Sequence, residues 1–388
     1  MHILHVVGAR PNFMKAAPVI SALEQRNGLR QTLVHTGQHY NANMSDIFFD
    51  QLGIPKPDFN LEVGSGTHAQ QTAQIMSCFE PVVLEQKPDL VLVYGDVNST
   101  VATALVCTKL GIPIGHVEAG LRSYDRKMPE EINRLLTDQM ADLLFTPSID
   151  GNENLGREGI DAKKVHLVGN VMIDTLMRLL PKANDEVLKE LTGNGPGPTG
   201  PTQNQATEDT LPHQLIHGPY ALVTLHRPSN VDDPAMLRSI IVTLNEISQK
   251  LPVILPIHPR TRQRLQGLNL PIDNAHLKLI EPIGYLQFLA LQRRAKIVIT
   301  DSGGIQEETT YLGVPCLTVR ENTERPVTTV IGTNILVGQD MKKLKDEVNL
   351  ILSGTGKKGT IPPLWDGKAS ERIAVVVEKW LNNKVDRL

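Results

Sequence analysis

The chain has 388 residues, with 39 Lys and Arg against 42 Asp and Glu and a formal net charge of −3 at pH 7. At roughly 150 residues per domain, this length predicts two or three domains. The balanced charge argues against a nucleic-acid partner, because such proteins usually carry a basic excess or stripe. The longest apolar runs are far shorter than the ~20 residues of a membrane span, which argues against membrane insertion.

The first half alternates short β-branched runs with helical stretches, which is typical of a parallel sheet covered by helices. It opens on a predicted strand and turn rather than on a signal peptide, and the three scattered cysteines form no disulfide or zinc pattern, so we expect a cytoplasmic protein. The predicted strands are Ile3–Val7, Gln31–His35, Leu90–Tyr94, Ile114–Val117, Leu143–Thr146 and Val165–Val168, and the predicted helices are Phe13–Gln25, Thr67–Gln86 and Val101–Leu110. Pro18 predicts a kink or a later start in the first helix, and Gly111 is expected to cap the third.

The second half repeats the alternation, which predicts two α/β units of similar size. Its predicted strands are Ala221–Leu225, Val253–Pro256, Leu277–Ile280, Lys296–Thr300, Pro315–Val319 and Asn334–Leu336. The two units are separated by a Gly- and Pro-rich stretch, Gly193–Thr202, which together with residues 203–218 predicts a flexible surface excursion. An amphipathic helix, Ala369–Asn382, closes the chain and could pack against either unit.

An anion site is predicted where the strand Lys296–Thr300 runs into the turn Asp301–Gly304 and a helix opens at Ile305. Adjacent glycines let the backbone approach a ligand, and the free N–H groups of a helix N-terminus attract an anion. Glu308 lies one turn into that helix, where its carboxylate can accept hydrogen bonds from vicinal hydroxyls such as those of ribose. No GxxxxGK[ST] occurs and no GxGxxG follows the first strand, which argues against a P-loop NTPase and against an ordinary dinucleotide dehydrogenase.

Charged residues also follow strands of the first unit, at the sheet edge where open α/β folds bind ligands. Arg10 and Lys15 follow the first strand and predict a second anion contact. Asp96 and Glu118 directly follow two apolar strands, and Glu130 belongs to a third acidic turn. Carboxylates gathered near a cleft suit general acid–base catalysis, because mutual repulsion and burial raise their pKa values. Helix capping explains any one of them alone, so the prediction of catalysis rests on the set.

Two histidines, His226 and His258, end neighbouring predicted strands of the second unit, and we predict that both contact a ligand. Histidine with carboxylates can indicate a metal, but neither the HExxH nor the CxxC spacing occurs. No metal is therefore predicted.

The motifs at these turns resemble those of the non-hydrolysing UDP-N-acetylglucosamine (UDP-GlcNAc) 2-epimerase family, and they occur in the family's order. The matching segments are GARPNFMK (8–15), HTGQH (35–39), GDVNST (95–100), HVEAGLRS (116–123), PEEINR (129–134), HRPSN (226–230), HPRT (258–261), TDSGGIQEE (300–308) and TERP (323–326). The combination of DSGGIQEE with TERP is highly specific, whereas HPRT alone is not. The segment HRPSN departs from the family's common HRREN.

The resemblance implies a glycosyltransferase-B-like fold, in which two Rossmann-like domains face each other across a cleft that holds the active site. It implies that the C-terminal helix returns to the first domain. The expected domains are residues 1–175 with 369–388, and a UDP-binding domain of residues 176–368 that contains the flexible excursion 193–218. A homodimer without any cofactor is also expected.

The resemblance further implies reversible C2 epimerisation of UDP-GlcNAc to UDP-N-acetylmannosamine (UDP-ManNAc), for cell-surface polysaccharide synthesis. The reaction would proceed by anti elimination of UDP, a 2-acetamidoglucal intermediate and re-addition of UDP. The implied catalytic residues are Asp96, Glu118, Glu130 and His226. The implied substrate-binding residues are Arg10 and Lys15 on the substrate, Ser302, Gly303 and Gly304 with His226 on the diphosphate, Glu308 on the ribose, Ile283 and Phe288 at the uracil, and Arg325 in support of the nucleotide. His258, predicted above from its place at a strand end, is added to this substrate-binding set.

Three other functions remain open. A close branch of the family epimerises UDP-2,3-diacetamido-2,3-dideoxy-glucuronate, and the segment HTGQHYNANMSDIFF resembles that branch, whereas TERP favours the UDP-GlcNAc enzyme. A glycosyltransferase of the same fold would need an acceptor groove, of which the sequence shows no sign. A nucleotide-sugar sensor would bind without forming product, which would leave the three catalytic carboxylates without a purpose.

Overall fold

The computed structural model describes residues 1–38, 53–192, 211, 215, 217–257, 259–267 and 276–385. The chain divides into two compact units. Unit 1 comprises Met1–Thr175 together with Pro363–Leu388, and unit 2 is the continuous stretch Leu176–Pro362.

Unit 1 is built on a seven-stranded parallel sheet in the order β3-β2-β1-β4-β5-β6-β7. Its strands are β1 (His2–Val7), β2 (Arg30–His35), β3 (Phe59–Asn60), β4 (Leu90–Tyr94), β5 (Ile114–Val117), β6 (Leu143–Thr146) and β7 (Val165–Leu167). Every residue of β1, β4, β5 and β6 is buried, as expected for parallel strands that are covered on both faces. The sheet order reverses between β1 and β4, which is where doubly wound folds bind ligands.

The helices of unit 1, numbered in chain order, are α1 (Arg10–Glu24), α2 (His68–Gln86), α3 (Asn98–Leu110), α4 (Pro129–Met140), α5 (Ile149–Arg157), α6 (Val171–Leu179), which runs into unit 2, and the last helix of the chain, α15 (Ala369–Val385). Gly111 caps α3 with a φ of 69°, as predicted. Helix α1 begins earlier than predicted and continues through Pro18. Proline has no N–H for the Met14 carbonyl, which instead accepts a hydrogen bond of 2.6 Å from Thr175 Oγ1.

The carboxyl-terminal segment completes unit 1. Trp365 is 2% exposed, and its indole N–H donates to the Pro147 carbonyl at 3.0 Å. The Asp174 carboxylate accepts from the backbone N–H groups of Ala369 and Ser370 at 3.2 and 2.7 Å, and it therefore caps the positive end of α15. Helix α15 packs along α1.

Unit 2 contains a six-stranded parallel sheet in the order β10-β9-β8-β11-β12-β13, and its order reverses between β8 and β11. Its strands are β8 (Ala221–Thr224), β9 (Val253–Pro256), β10 (Leu277–Ile280), β11 (Ile297–Thr300), β12 (Cys316–Thr318) and β13 (Asn334–Leu336). Its helices are α7 (Asp185–Lys189), α8 (Pro228–Val231), α9 (Pro234–Ser248), α10 (Pro259–Gln266), α11 (Tyr285–Gln292), α12 (Gly303–Leu312), α13 (Pro326–Val330) and α14 (Met341–Leu352). Helices α9 and α14 pack on each other, and their buried aliphatic side chains join those of the sheet in one core.

The predicted α/β fold class with two Rossmann-like parallel sheets is confirmed. Strand β3 was not predicted, because two residues carry no hydrophobic period. Most of the predicted excursion 193–218 lies outside the described residues. Near its carboxyl end, Leu211 and Leu215 are 2% and 9% exposed, and Leu211 N–H donates to the Leu191 carbonyl at 2.8 Å. That part of the excursion is therefore anchored rather than free.

Candidate active site

A buried ion pair lies at the switch point of unit 1. Lys15 on α1 contacts Glu118, which follows β5, and the two residues are 5% and 6% exposed. Gly95 makes room for them, since a Cβ at this position would lie 2.7 Å from Lys15 Nζ and 3.3 Å from Glu118 Oε2. Glu118 has a φ of 76°, a left-handed conformation that costs a non-glycine residue about 1–3 kcal/mol and is concentrated at functional sites.

Asp96 follows β4 and is paired with a buried arginine. The Arg134 guanidinium contacts the Asp96 carboxylate, and the Asn133 amide donates to the Asp96 carbonyl at 2.9 Å. The Asp96 side chain is 28% exposed, whereas that of Arg134 is 2% exposed. Asp96 thus keeps an open face while its position is fixed from the protein side.

Glu131 holds Arg134 in place, with 2.6 Å between Glu131 Oε2 and Arg134 Nη2. Burial alone would raise the pKa of Glu131, but the Ser123 N–H and the Arg134 guanidinium outweigh burial, so the pKa is lowered. Glu131 was not predicted as a site residue. Its neighbour in sequence, Glu130, was predicted and is only partly buried.

Glu130 borders a cavity of about 320 Å³ in unit 1. The lining residues are Gln38, Ser65, Gly66, His68, Gln71, Val97, Asn98, Pro129, Glu130 and Asn133. This described lining is rich in amides and contains one carboxylate and one imidazole but neither lysine nor arginine. Such a cavity provides many hydrogen-bond donors and acceptors, as a neutral polyhydroxylated ligand requires.

His226 and Asp301 form the centre of the switch point of unit 2. Asp301, at the end of β11, is fully buried and lies 2.8 Å from His226 Nδ1, and it accepts from the backbone N–H of Arg227 at 2.9 Å. Burial alone would raise the pKa of Asp301, but His226 and the backbone N–H of Arg227 lower it overall. The His226 side chain is 59% exposed, so that its Nε2 edge is available to a ligand.

The two glycines at the start of α12 differ in their surroundings. A Cβ on Gly303 would lie 2.3 Å from Arg325 Nη1 and 2.6 Å from Glu324 Oε1, so this glycine accommodates the protein's own arginine. A Cβ on Gly304 would meet nothing within 4 Å. Ser302 is the N-cap residue, and its side chain makes no capping hydrogen bond. The open N-terminus of α12 is therefore at Gly304, where an anion can approach the helix.

Arg325 packs against Gly303 at the start of α12. It is 8% exposed and is held between Glu324 and Glu307, with 2.8 Å between Arg325 Nε and Glu307 Oε1. Glu308 is 4% exposed and accepts a hydrogen bond of 2.9 Å from the Tyr285 hydroxyl on α11. Ile283, which precedes α11, and Phe288, which lies on α11, are partly buried.

The structure thus brings Lys15, Asp96, Glu118 and Glu130 to one edge of unit 1, and His226, Ser302, Gly304, Glu308 and Arg325 to one edge of unit 2. His258 lies outside the described residues. The backbone of Arg10 opens α1, but its side chain is not among those described.

Sequence reasoning missed the partners of these groups, namely Arg134, Glu131, Asp301 and Tyr285. Asp301 and Arg134 lie within the motifs TDSGG and PEEINR, which was the available signal. No group of three or more potential metal ligands occurs among the described residues. No helix in the described part of the chain is long and apolar enough to cross a membrane.

Known proteins are similar to this chain over nearly its whole length. A family model described as UDP-N-acetylglucosamine 2-epimerase matches residues 21–378. A UDP-N-acetylglucosamine 2-epimerase of Methanocaldococcus jannaschii is 42% identical over 382 residues, which is 97% of this chain and 99% of that protein. A UDP-2,3-diacetamido-2,3-dideoxy-D-glucuronate 2-epimerase of Pseudomonas aeruginosa is 42% identical over 98% of this chain and 100% of its own.

The M. jannaschii UDP-GlcNAc 2-epimerase has also been crystallised in complex with UDP-GlcNAc and UDP. It superimposes with a TM-score of 0.85, covering 98% of this chain and 100% of that one. Together with the two switch-point sites, this similarity defines an isomerase with the glycosyltransferase-B-like fold of two Rossmann-like units. The chain belongs to the UDP-N-acetylglucosamine 2-epimerase family.

Proposed function

We propose that this enzyme interconverts UDP-GlcNAc and UDP-ManNAc by reversible epimerisation at C2 of the sugar. The observation that carries the proposal is the group of carboxylates at the switch point of unit 1, in which Asp96 and Glu130 reach open space and Glu118 is paired with Lys15. Carboxylates held in this way can remove and return a proton.

The C2 proton of the sugar is not acidic, so removal must be coupled to departure of a leaving group. A carboxylate takes the C2 proton, the C1–O bond to UDP breaks, and the electron pair of the C2–H bond forms the C1–C2 double bond of 2-acetamidoglucal. UDP then adds back at C1 while a carboxylic acid delivers a proton to the opposite face of C2. The exposure of Asp96 and Glu130 favours these two as the groups that exchange the proton.

Unit 2 is proposed to bind UDP and to stabilise it as a leaving group. The open N-terminus of α12 at Gly304 and the exposed edge of His226 offer hydrogen-bond donors to the diphosphate. Glu308 is proposed to accept hydrogen bonds from the ribose hydroxyls, with Ile283 and Phe288 beside the uracil. Arg10, Lys15 and His258 are proposed to contact the substrate.

The cavity next to Glu130 favours a neutral sugar over the glucuronate named for the P. aeruginosa relative. A uronate would bring a second carboxylate toward Glu130, and the described lining offers neither lysine nor arginine to balance the charge. We therefore propose UDP-GlcNAc as the substrate. We also propose that the enzyme is a cytoplasmic homodimer and that its product is used in polysaccharide synthesis.

The test is incubation of UDP-GlcNAc with the enzyme in deuterated water without an acceptor, followed by NMR of the sugar. UDP-ManNAc with deuterium at C2 is expected. Product without deuterium would exclude the elimination mechanism. If the sugar nucleotide reacted only after an acceptor was added, the enzyme would be a glycosyltransferase. Faster turnover of the diacetamido-glucuronate in a parallel reaction would overturn the choice of sugar.

Replacement of Glu308 with glutamine is expected to weaken UDP binding by about 10–100-fold, since a hydrogen bond to a charged group contributes roughly 1.5–3 kcal/mol. Isothermal titration with UDP measures the change. The matched control is Glu246→Gln, which removes an exposed carboxylate of the same unit, paired at the surface with Lys345. Equal UDP affinity in both variants would show that Glu308 does not bind the nucleotide.

A further inference from the structure

The turn that carries Asp96 is held by side chains on three successive carbonyl groups, the first of which, that of Tyr94, accepts from Thr100 Oγ1 at 3.0 Å. The Asn12 amide donates to the Tyr94 carbonyl at 2.7 Å, and the Asn133 amide donates to the Asp96 carbonyl at 2.9 Å. Between them, His116 Nε2 lies 2.9 Å from the Gly95 carbonyl oxygen. Because a carbonyl oxygen can only accept, this ring nitrogen carries a hydrogen.

The other ring nitrogen of His116 faces a carboxylate. His116 Nδ1 lies 2.6 Å from Asp138 Oδ1, and both residues are fully buried. The second oxygen of Asp138 accepts from the Gly120 N–H at 3.1 Å and lies 2.7 Å from Arg122 Nη2. Burial alone would raise the pKa of Asp138, but its charged and hydrogen-bonded partners lower it overall. The buried Arg122 guanidinium, which pairs with this carboxylate whatever the state of His116, favours the ionised form of Asp138.

An ionised carboxylate accepts hydrogen bonds and donates none, so His116 Nδ1 also carries a hydrogen. Both ring nitrogens are then protonated. Charge balance agrees with this state, since Arg122 also forms a two-pronged pair with Glu158 at 2.8 and 2.6 Å. With a charged imidazole, these four groups contain two cations and two anions, whereas a neutral imidazole would leave one negative charge in excess, with the Glu158 side chain 23% exposed.

A second buried histidine in the same sheet provides the contrast. His5 on β1 is also fully buried, but its ring nitrogens face the Tyr94 hydroxyl at 2.6 Å and the Gln31 side-chain oxygen at 2.8 Å. Burial lowers the pKa of His5 to about 4, so this histidine is neutral. Its ring contacts the Tyr94 hydroxyl and none of the three carbonyl groups of the Asp96 turn.

We propose that His116 is a positioning residue for the proton-transfer step, in which a buried imidazolium paired with Asp138 fixes the Gly95 carbonyl and thereby aims the Asp96 carboxylate. The proposal rests on the proposed epimerase function. His116 itself touches no substrate and acts only through the turn. A displacement of about 1 Å at a reacting group can lower turnover by about 100-fold, so this anchor affects kcat rather than substrate binding.

Two substitutions separate the contacts of His116. His116→Gln places an amide N–H at the position of Nε2 and retains a donor for the Gly95 carbonyl, whereas His116→Asn places its N–H toward Asp138 and loses that donor. We expect kcat to fall by about 100-fold in His116→Asn and by less than about 10-fold in His116→Gln, with KM within about 3-fold in both. His5→Asn is the control, with a lower Tm expected but an unchanged kcat.

A wild-type kcat in His116→Asn would overturn the proposal, and so would equal losses in His116→Asn and His116→Gln. Independently of any activity measurement, ¹⁵N NMR of histidine-labelled protein at pH 7.5 tests the charge state of His116. Two protonated nitrogens are expected for His116, one for His5, and one for His116 in Asp138→Asn. A neutral His116 in the wild type would overturn the proposal even if a substituted protein fails to fold. Failure of the proposed function would instead appear as an inactive wild type with an unchanged NMR result.

Discussion

Replacement of Asp96 with asparagine is expected to lower kcat by about 10²–10⁴-fold while UDP affinity remains within a few-fold of wild type. The asparagine oxygen can still accept from Arg134 and its backbone carbonyl still accepts from Asn133, so the turn keeps its shape. An amide, however, cannot take up or deliver the C2 proton. Steady-state kinetics with UDP-GlcNAc and titration with UDP measure the two quantities.

The matched control lies at the other end of the same strand. Asp89 precedes β4 and accepts the backbone N–H of His2 at 2.8 Å, far from the carboxyl edge of the sheet. Asp89→Asn is expected to leave kcat unchanged. Near-normal turnover in Asp96→Asn would remove Asp96 from the proton-transfer step and leave Glu130 and Glu118 as candidates.

Replacement of Lys15 with methionine is expected to lower the free energy of unfolding by about 3–5 kcal/mol, which is the usual cost of leaving one partner of a buried ion pair alone. Lys15 and Glu118 are both almost completely buried, so water cannot replace the lost cation. Urea unfolding at neutral pH measures the change.

The double variant Lys15→Met with Glu118→Gln separates stability from activity. Removing both charges is expected to recover most of the lost stability, since no buried charge remains unpaired, while epimerisation stays strongly impaired. A stability loss below about 1 kcal/mol in Lys15→Met would indicate that the pair behaves like a solvated surface pair.

The sheets could be predicted from the sequence because each central strand is a short, continuous apolar run that ends in a polar turn. The runs Leu90–Tyr94 and Ile114–Val117 are strands with the predicted bounds, and Asp96 and Glu118 follow them at the carboxyl edge. Element ends that depend on packing were less predictable. Helix α1 starts at Arg10 because Pro11 fits a first turn, and Pro18 is tolerated because Thr175 hydrogen-bonds the carbonyl group that it leaves free.

The partners of the site residues could not be predicted, because they are distant in the sequence. Lys15 and Glu118 are 103 residues apart, and Asp96 and Arg134 are 38 apart. Local patterns identify which residues end a strand, but they do not specify which charges neutralise one another. The crowding of Gly303 is a further example, since the paired glycines suggested two open positions and one is filled by Arg325.

The carboxyl-terminal segment of the chain belongs to unit 1, and this affects the order in which the two units can fold during synthesis. Domains generally fold during synthesis from the amino terminus onward. Folding of unit 1 cannot be completed first, because its Trp365 and its last helix leave the ribosome only after the whole of Leu176–Pro362. Until then the Asp174 carboxylate has no helix to cap, and the face of α1 that receives α15 stays uncovered. The nascent chain can therefore complete its second unit before its first.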